Sequence, residues 1–191
     1  MPSVFEVLGQ DHQEVKRMLS ELEKGPTAAT GASDNHLMLR KKMVEQLIIE
    51  ESRHEALEEM YFWPVVRDRL PGGDHLADTA TGQEQDGKQV LDQLDKLNAD
   101  QPEFEQLVLT FTGAGREHIA YEETRVWPLL RGTLTEQEAV SIGGKIAAGK
   151  KTAPTRPHPN TPPSAGVLKG ARPAVAAADR LRDAASGRGR D

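Results

Sequence analysis

The chain has 191 residues, with 24 basic and 30 acidic side chains and a formal charge of −6. That length admits one domain with a tail, or at most two small domains, and the acidic balance argues against a nucleic-acid binder that works by neutralising phosphates. There is no cysteine, which excludes disulfides, thiolate chemistry, zinc fingers and iron–sulfur clusters and leaves nitrogen and oxygen as the only strong metal donors.

No apolar run approaches the length of a membrane span. The N-terminus, MPSVFEVLGQDHQEV, lacks the basic start and apolar stretch of a signal peptide. A cytoplasmic protein with no membrane or nucleic-acid partner is expected.

The first periodic segment covers about residues 3–23. Leu8, His12, Val15, Leu19 and Leu22 recur at helical spacing, which puts His12 in an apolar stripe. Taken alone, it reads as a buried core histidine. Residues 25–33, GPTAATGAS, break the chain, and Ser33 or Asp34 caps a second helix expected to reach about residue 69. Val44, Leu47, His54, Glu58 and Tyr61 share its inner face. Pro64 removes a backbone donor, so a planned bend, or a helix end followed by a short new turn, is expected there. Pro71, Gly72 and Gly73 end the segment.

A third helix is expected from about residue 74 to 97, with Glu84, Gly87, Leu91 and Leu94 inward. A fourth covers about residues 103–131, with Leu107, Phe111, Ala114, His118, Glu122 and Arg125 along one side. Thr135 and Glu138 form a capping box for a short amphipathic helix. Residues 151–166, KTAPTRPHPNTPPSAG, carry five prolines and are expected to be an extended arm or disordered. A short Ala- and Arg-rich helix over about 168–185 and a frayed GRGRD end complete a net basic tail, read as a solvated terminus or an arm packed on the bundle. Residues 1–132 are thus expected to form the bundle, and 133–191 a short helix plus tail.

Two internal matches carry the functional reading. HEALEEMYFWP (54–64) returns as HIAYEETRVWP (118–128), a shift of 64 that pairs His54 with His118, Glu58 with Glu122, Glu59 with Glu123, Trp63 with Trp127 and Pro64 with Pro128. His-x-x-x-Glu places an imidazole and a carboxylate on one helix face. LGQDHQEVKRMLSEL (8–22) matches ATGQEQDGKQVLDQL (80–94) at a shift of 72, so His12 falls on Glu84. Two such hairpins, folded with approximate two-fold symmetry, give an all-α, up-down-up-down four-helix bundle with a C-terminal proline-rich extension.

His12, His54, Glu58, Glu84, His118 and Glu122 then converge on the middle of the core. Burying them costs several kcal/mol per charged group unless something compensates, and a pair of cations does so. Imidazole with carboxylate suits iron first, with manganese or zinc as alternatives. Glu58 and Glu122 are the natural bridges, one from each half, for two ions about 3.5 Å apart. Tyr61 and Tyr121 could donate to a bridging oxygen, ligate or relay protons, or be core tyrosines with satisfied hydroxyls. Glu51 could accept from the other ring nitrogen of His54, or be solvated. Glu55, Glu59 and Glu123 are expected outward, with Glu123 able to replace Glu122 if the helix is rotated or bulged. His36, His75 and His158 are left outside the site.

With these residues in place, residues 3–131 resemble the hemerythrin-like, HHE cation-binding family. The bacterial pattern of a lone His, His-x-x-x-Glu, a lone His and His-x-x-x-Glu is matched by His12, by His54 with Glu58, and by His118 with Glu122. At the third position the alignment puts Glu84, with Gln85 beside it one register away. The resemblance implies a four-helix bundle with a non-haem, oxo- or hydroxo-bridged pair of irons, on which the chemistry occurs. The balance of ligands is closer to carboxylate-rich diiron enzymes than to oxygen carriers. The activity so implied is reaction with small oxidants, above all catalase-like decomposition of hydrogen peroxide. The alternatives are a dioxygen- or nitric-oxide-binding sensor, iron binding without turnover, or a metal-free or zinc structural bundle. A peroxide or diatomic ligand is expected, in a monomer or homodimer.

Overall fold

The computed structural model describes residues 1–160 and 165–188, with side chains of the last helix described from residue 174. Residues 161–164 and 189–191, covering the end of the proline-rich segment and the expected frayed terminus, lie outside the described residues. Among the described residues there is no strand. The helices are α1 (Val4–Lys24), α2 (Asp34–Tyr61), α3 (Trp63–Arg69), α4 (Gly73–Lys96), α5 (Pro102–Tyr121), α6 (Trp127–Arg131), α7 (Glu136–Gly149) and α8 (Ala165–Ser186). A wide π turn, Glu122–Val126, joins α5 to α6.

Local chemistry sets most of the starts. Ser3 and Glu6 close a reciprocal capping box on α1, and Thr135 and Glu138 close another on α7. Ser33 accepts the amide of His36 to begin α2. The turn from α3 into α4 requires glycine: Gly72 has φ +72°, and a Cβ on Gly73 would fall 2.2 Å from the Val66 carbonyl oxygen.

Helices α1, α2, α4 and α5 form the bundle, packed in a ring in that order. Two apolar clusters define its direction. One gathers Val4, Phe5, Leu8, Phe62, Trp63, Val66, Ala77, Val126, Trp127 and Leu130. The other gathers Val15, Leu19, Leu22, Val44, Leu47, Ile48, Leu91, Leu94, Phe104, Val108 and Phe111. Helices α1 and α4 begin in the first cluster and end in the second, while α2 and α5 run the other way, so the ring alternates up and down. Each fully buried Leu, Ile or Phe in these plugs contributes about 1.5–3 kcal/mol. Between them the chain places its ionisable residues.

Two helix boundaries and one inner face differ from the sequence expectation. The second helix does not run to residue 69. It ends at Tyr61, breaks at Phe62, and restarts with Pro64 in the first turn of α3, where a missing amide is tolerated. The fourth segment solves the same Trp-Pro problem by widening: the Trp127 amide reaches back to the Glu122 carbonyl, five residues earlier. The inner face of α5 also differs. Ala114 and Arg125 are exposed, and Gly115 and Ile119 are buried in their stead.

The C-terminal third is packed. Ala139, Ile142 and Ile146 of α7 join the first apolar cluster against α1. Residues 150–160 form an irregular arm. Thr155 donates its hydroxyl to Asp183 (2.6 Å) and its amide to Asp179 (3.2 Å), and Arg156 pairs with Asp95 of α4 and Asp183 of α8. Helix α8 packs on α2. α2 is therefore flanked by α1, α4, α7 and α8, which buries Ile49, Ala56 and Leu57 as well as its inner face.

Gly143 tests the seat of α7. A Cβ there would lie 2.6 Å from the Pro2 oxygen and the Ser3 carbonyl carbon, whereas Gly144 has nothing within 4 Å. Chemical denaturation should show Gly143→Ala destabilised by about 1–3 kcal/mol and Gly144→Ala stabilised by about 0.5–1 kcal/mol.

Candidate metal centre

Four helices each send polar side chains into the layer between the apolar plugs. α1 supplies His12, α2 His54 and Glu58, α4 Glu84, and α5 with its π turn His118 and Glu122. All six are buried, and Glu58 and Glu122 have no solvent exposure. The structure brings these six together as two overlapping groups: His12, His54, Glu58 and Glu122, and Glu58, Glu84, His118 and Glu122. Within each group one donor atom per residue lies within 4.8 Å of all the others. Both groups use Glu58 and Glu122.

The inward atoms are left without hydrogen-bond partners. These are Nε2 of His12, His54 and His118, both oxygens of Glu58 and Glu122, and Oε2 of Glu84. Nε2 of His12 and of His118 each lie 3.2 Å from a Glu122 oxygen, and Nε2 of His54 lies 3.2 Å from Glu58, but not in hydrogen-bonding geometry. So many orphaned donors and acceptors in one buried layer are costly. Converging nitrogen and carboxylate oxygen is what divalent and trivalent transition metals bind, so this donor set fits such ions.

The outward atoms are held. Nδ1 of His12 meets Glu123 (3.0 Å), which also binds Lys16. Nδ1 of His54 meets Asp11 (3.4 Å), itself paired with Lys150 of the arm. Nδ1 of His118 meets the amide oxygen of Gln83 (3.2 Å). With Nδ1 as donor, each ring turns its Nε2 lone pair inward. Glu84 is fixed differently: its Oε1 accepts the indole N–H of Trp63 at 2.5 Å.

Several secondary expectations change. Asp11 of α1, not Glu51, faces the second nitrogen of His54. Glu51 is nonetheless buried beside the site. Glu123 lies outside the inner groups as the partner of His12. Gln85 is not inward; its amide bonds the Pro159 carbonyl of the arm. The Tyr121 hydroxyl donates to the Leu76 carbonyl at 3.3 Å. Tyr61 packs on the first apolar cluster, and among the described hydrogen bonds neither tyrosine reaches the ligand set. Glu55 and Glu59 are buried rather than outward, because Lys88 of α4 enters between them. It binds Glu59 and stands 3.7 Å from Glu55 and 3.9 Å from Glu84.

Sequence reasoning missed Asp11, Gln83, Lys16, Lys88 and the indole of Trp63. The signal was in the repeat. At the shift of 72, Asp11 pairs with Gln83 and Lys16 with Lys88, so each residue before an inward ligand holds a histidine of its own hairpin.

Electrostatics follow from burial and crowding. Burial raises the carboxyls of Glu58 and Glu84, and neighbouring carboxylates push them further up. Burial also raises Glu122, but His118 and His12 outweigh it and hold that carboxyl well below its usual range. Burial opposes charging of His54 and His118, yet Glu58 lifts His54 well above its ordinary value and Glu122 lifts His118 to about 10. Without cations, protons neutralise this layer.

The family follows from these observations. A model of the hemerythrin HHE cation-binding domain matches residues 3–130, and the chain belongs to that family. A hemerythrin-like protein of Schizosaccharomyces pombe is 27% identical over 139 residues, covering 72% of this chain and 68% of that protein. The crystal structure of a hemerythrin HHE cation-binding domain-containing protein from Mycobacterium kansasii superimposes with a TM-score of 0.65 at 21% identity, covering 79% of this chain and 86% of the other, which establishes the fold. Hemerythrin-like domains bind a metal, typically iron, and the two His/Glu groups here could hold one. Among the described residues no helix is long and apolar enough to cross a membrane.

The protonated layer fixes how stability should vary with pH. His118, raised from 6.5 to about 10, stabilises the metal-free fold fully below pH 6.5 and loses that contribution as pH rises through 10. The raised carboxyls of Glu58 and Glu84 change in the same direction. The lowered Glu122 loses its contribution only in acid. Metal uptake displaces these protons and tightens as pH rises. Thermal melts of chelator-treated protein should therefore show Tm falling from pH 6.5 to 10, and added Zn(II) should raise Tm by a margin that widens with pH.

Proposed function

We propose that this chain is a two-iron protein that decomposes hydrogen peroxide, converting two molecules to two of water and one of dioxygen. The observation that carries the reading is the pair of overlapping donor groups sharing Glu58 and Glu122, an arrangement suited to two neighbouring ions. His12 and His54 would complete one ion's ligands, and His118 and Glu84 the other's. Bound there, two irons supply a two-electron acceptor and donor in one site. The protein's part is to position, neutralise and exclude. The apolar plugs keep bulk water from the layer, and Asp11, Glu123 and Gln83 hold the three rings in one orientation. Glu55, its carboxyl pushed up to about 8 chiefly by burial, keeps a proton near neutral pH beside the centre.

Glu84 supports turnover over reversible oxygen carriage. A carboxylate in place of a neutral imidazole adds negative charge, which favours the oxidised ions and works against the reduced pair that a carrier must present to dioxygen.

A binding or sensing role has its own support. Lys150 reaches from the C-terminal arm to Asp11, and Asp11 to His54, so a change at one ion could be felt by the arm.

Freshly purified protein should contain two irons per chain, show visible absorption from the ferric pair and evolve dioxygen from peroxide. His54→Ala and Glu58→Ala should each lower that rate at least roughly a hundredfold. Two bound irons with stable peroxide, and a spectrum that changes reversibly with dioxygen or nitric oxide, would establish the sensing role instead. A folded chain that takes up no transition metal would refute both.

A further inference from the structure

The two halves of the centre treat their equivalent tryptophans differently. Trp63 and Trp127 occupy matching places, each five residues after a shared glutamate. Each crosses to the other hairpin. Trp127 lies flat on His12, with ring centroids 5.0 Å apart and planes 12° from parallel. Its indole N–H is buried and has no partner. Trp63 meets Glu84, which stands where the repeat has His12, and donates its indole N–H to Oε1 at 2.5 Å.

This contact decides what Glu84 can offer. A carboxylate on a flexible stem can bind a cation through one oxygen or both. Here Oε1 is taken by a donor that cannot leave, because Trp63 is itself buried in the first apolar cluster. Oε2 alone has no hydrogen-bond partner, with the Lys88 ammonium 3.9 Å from it, and it is the oxygen left for the inner group to which Glu84 belongs. An indole nitrogen is a donor only, so it complements a carboxylate and cannot bond the inward lone pair of an imidazole without removing it as a ligand. The outer carboxylates show the same division. Glu123 accepts from Nδ1 of His12. Its equivalent Glu59 accepts from Lys88, which stands 3.9 Å from Glu84. One position is built around an imidazole and the other around a carboxylate.

We propose that Trp63 is a positioning residue for the metal centre, holding Glu84 as a single-oxygen donor so that the Glu84/His118 position binds its ion through a fixed carboxylate. The inference rests on the two-ion reading above, and its test separates the two.

Co(II) titration of chelator-treated protein, followed by visible absorption and calorimetry, should give two ions per chain in the native protein. Trp63→Phe should weaken one of them about tenfold and alter its ligand-field bands, leaving the other unchanged. In a Glu84→His background the same substitution should change affinity less than twofold, because no acceptor remains for the indole. Equal losses in both backgrounds would mark Trp63 as core packing only, and no loss in the native background would overturn the proposal outright. Fewer than two ions in the native chain would defeat the two-ion reading instead. A test free of both metal and Trp63 variants exists, since the chain has two tryptophans. Nitrogen-15 NMR of the metal-free protein should show one indole N–H far downfield and slow to exchange, and Glu84→His should move that signal. If both indole signals stay in place, Trp63 does not hold Glu84 and the proposal falls.

Discussion

The fold is organised around a problem of charge in a dry place. Six ionisable side chains meet between two apolar plugs, with their inward atoms unpartnered. A low-dielectric interior penalises each bare charge by several kcal/mol. Only protons or cations can relieve that penalty here, since the outward atoms of the three histidines are already engaged. The plugs supply the hydrophobic stabilisation that lets the bundle tolerate such a layer, and the layer in turn has one productive occupant, a positively charged one.

Around the layer the near two-fold symmetry is carried through to the supporting residues. Asp11 and Gln83 hold His54 and His118. Lys16 with Glu123 and Lys88 with Glu59 occupy equivalent places at the rim. Within the ligand set the symmetry breaks at His12 against Glu84, and the neighbouring side chains differ there as well. Trp127 stacks where Trp63 donates, and Lys16 stays near the surface where Lys88 is buried. The half with a carboxylate in place of an imidazole thus differs from its counterpart in hydrogen bonding, charge and burial.

The C-terminal third belongs to this balance. It covers the outer side of α2, which otherwise would expose Ile49, Ala56 and Leu57. It also places Lys150 on Asp11, bringing an arm remote in sequence into contact with a group that orients His54. Its proline content and net basic charge left a solvated terminus and a packed arm both open, because the deciding contacts are ion pairs with Asp95 of α4 and, within the tail, with Asp179 and Asp183 that depend on where the chain is carried.

Read alone, the amino-acid order indicated a bundle of alternating helices, though not every helix end, and pointed inward His12, His54 with Glu58, and His118 with Glu122, all of which are buried. Periodicity and a doubled His-x-x-x-Glu are local signals, and local spacing maps directly onto a helix face. The internal alignment put Glu84 at the third position with Gln85 one register away, and the structure turns Glu84 inward and Gln85 to the arm. The amino-acid order left open how the two Trp-Pro steps are accommodated and what Glu51 and the two tyrosines meet, and it expected Glu55 and Glu59 outward where they are buried. Those depended on which helix passes nearest, a matter of packing between residues far apart in the chain. The tertiary structure alone decided that Asp11 would reach His54, that Lys88 would enter between Glu55 and Glu59, and that an indole would hold Glu84. A pattern along one helix says which way a side chain points, but what it meets there is set by the neighbouring helices.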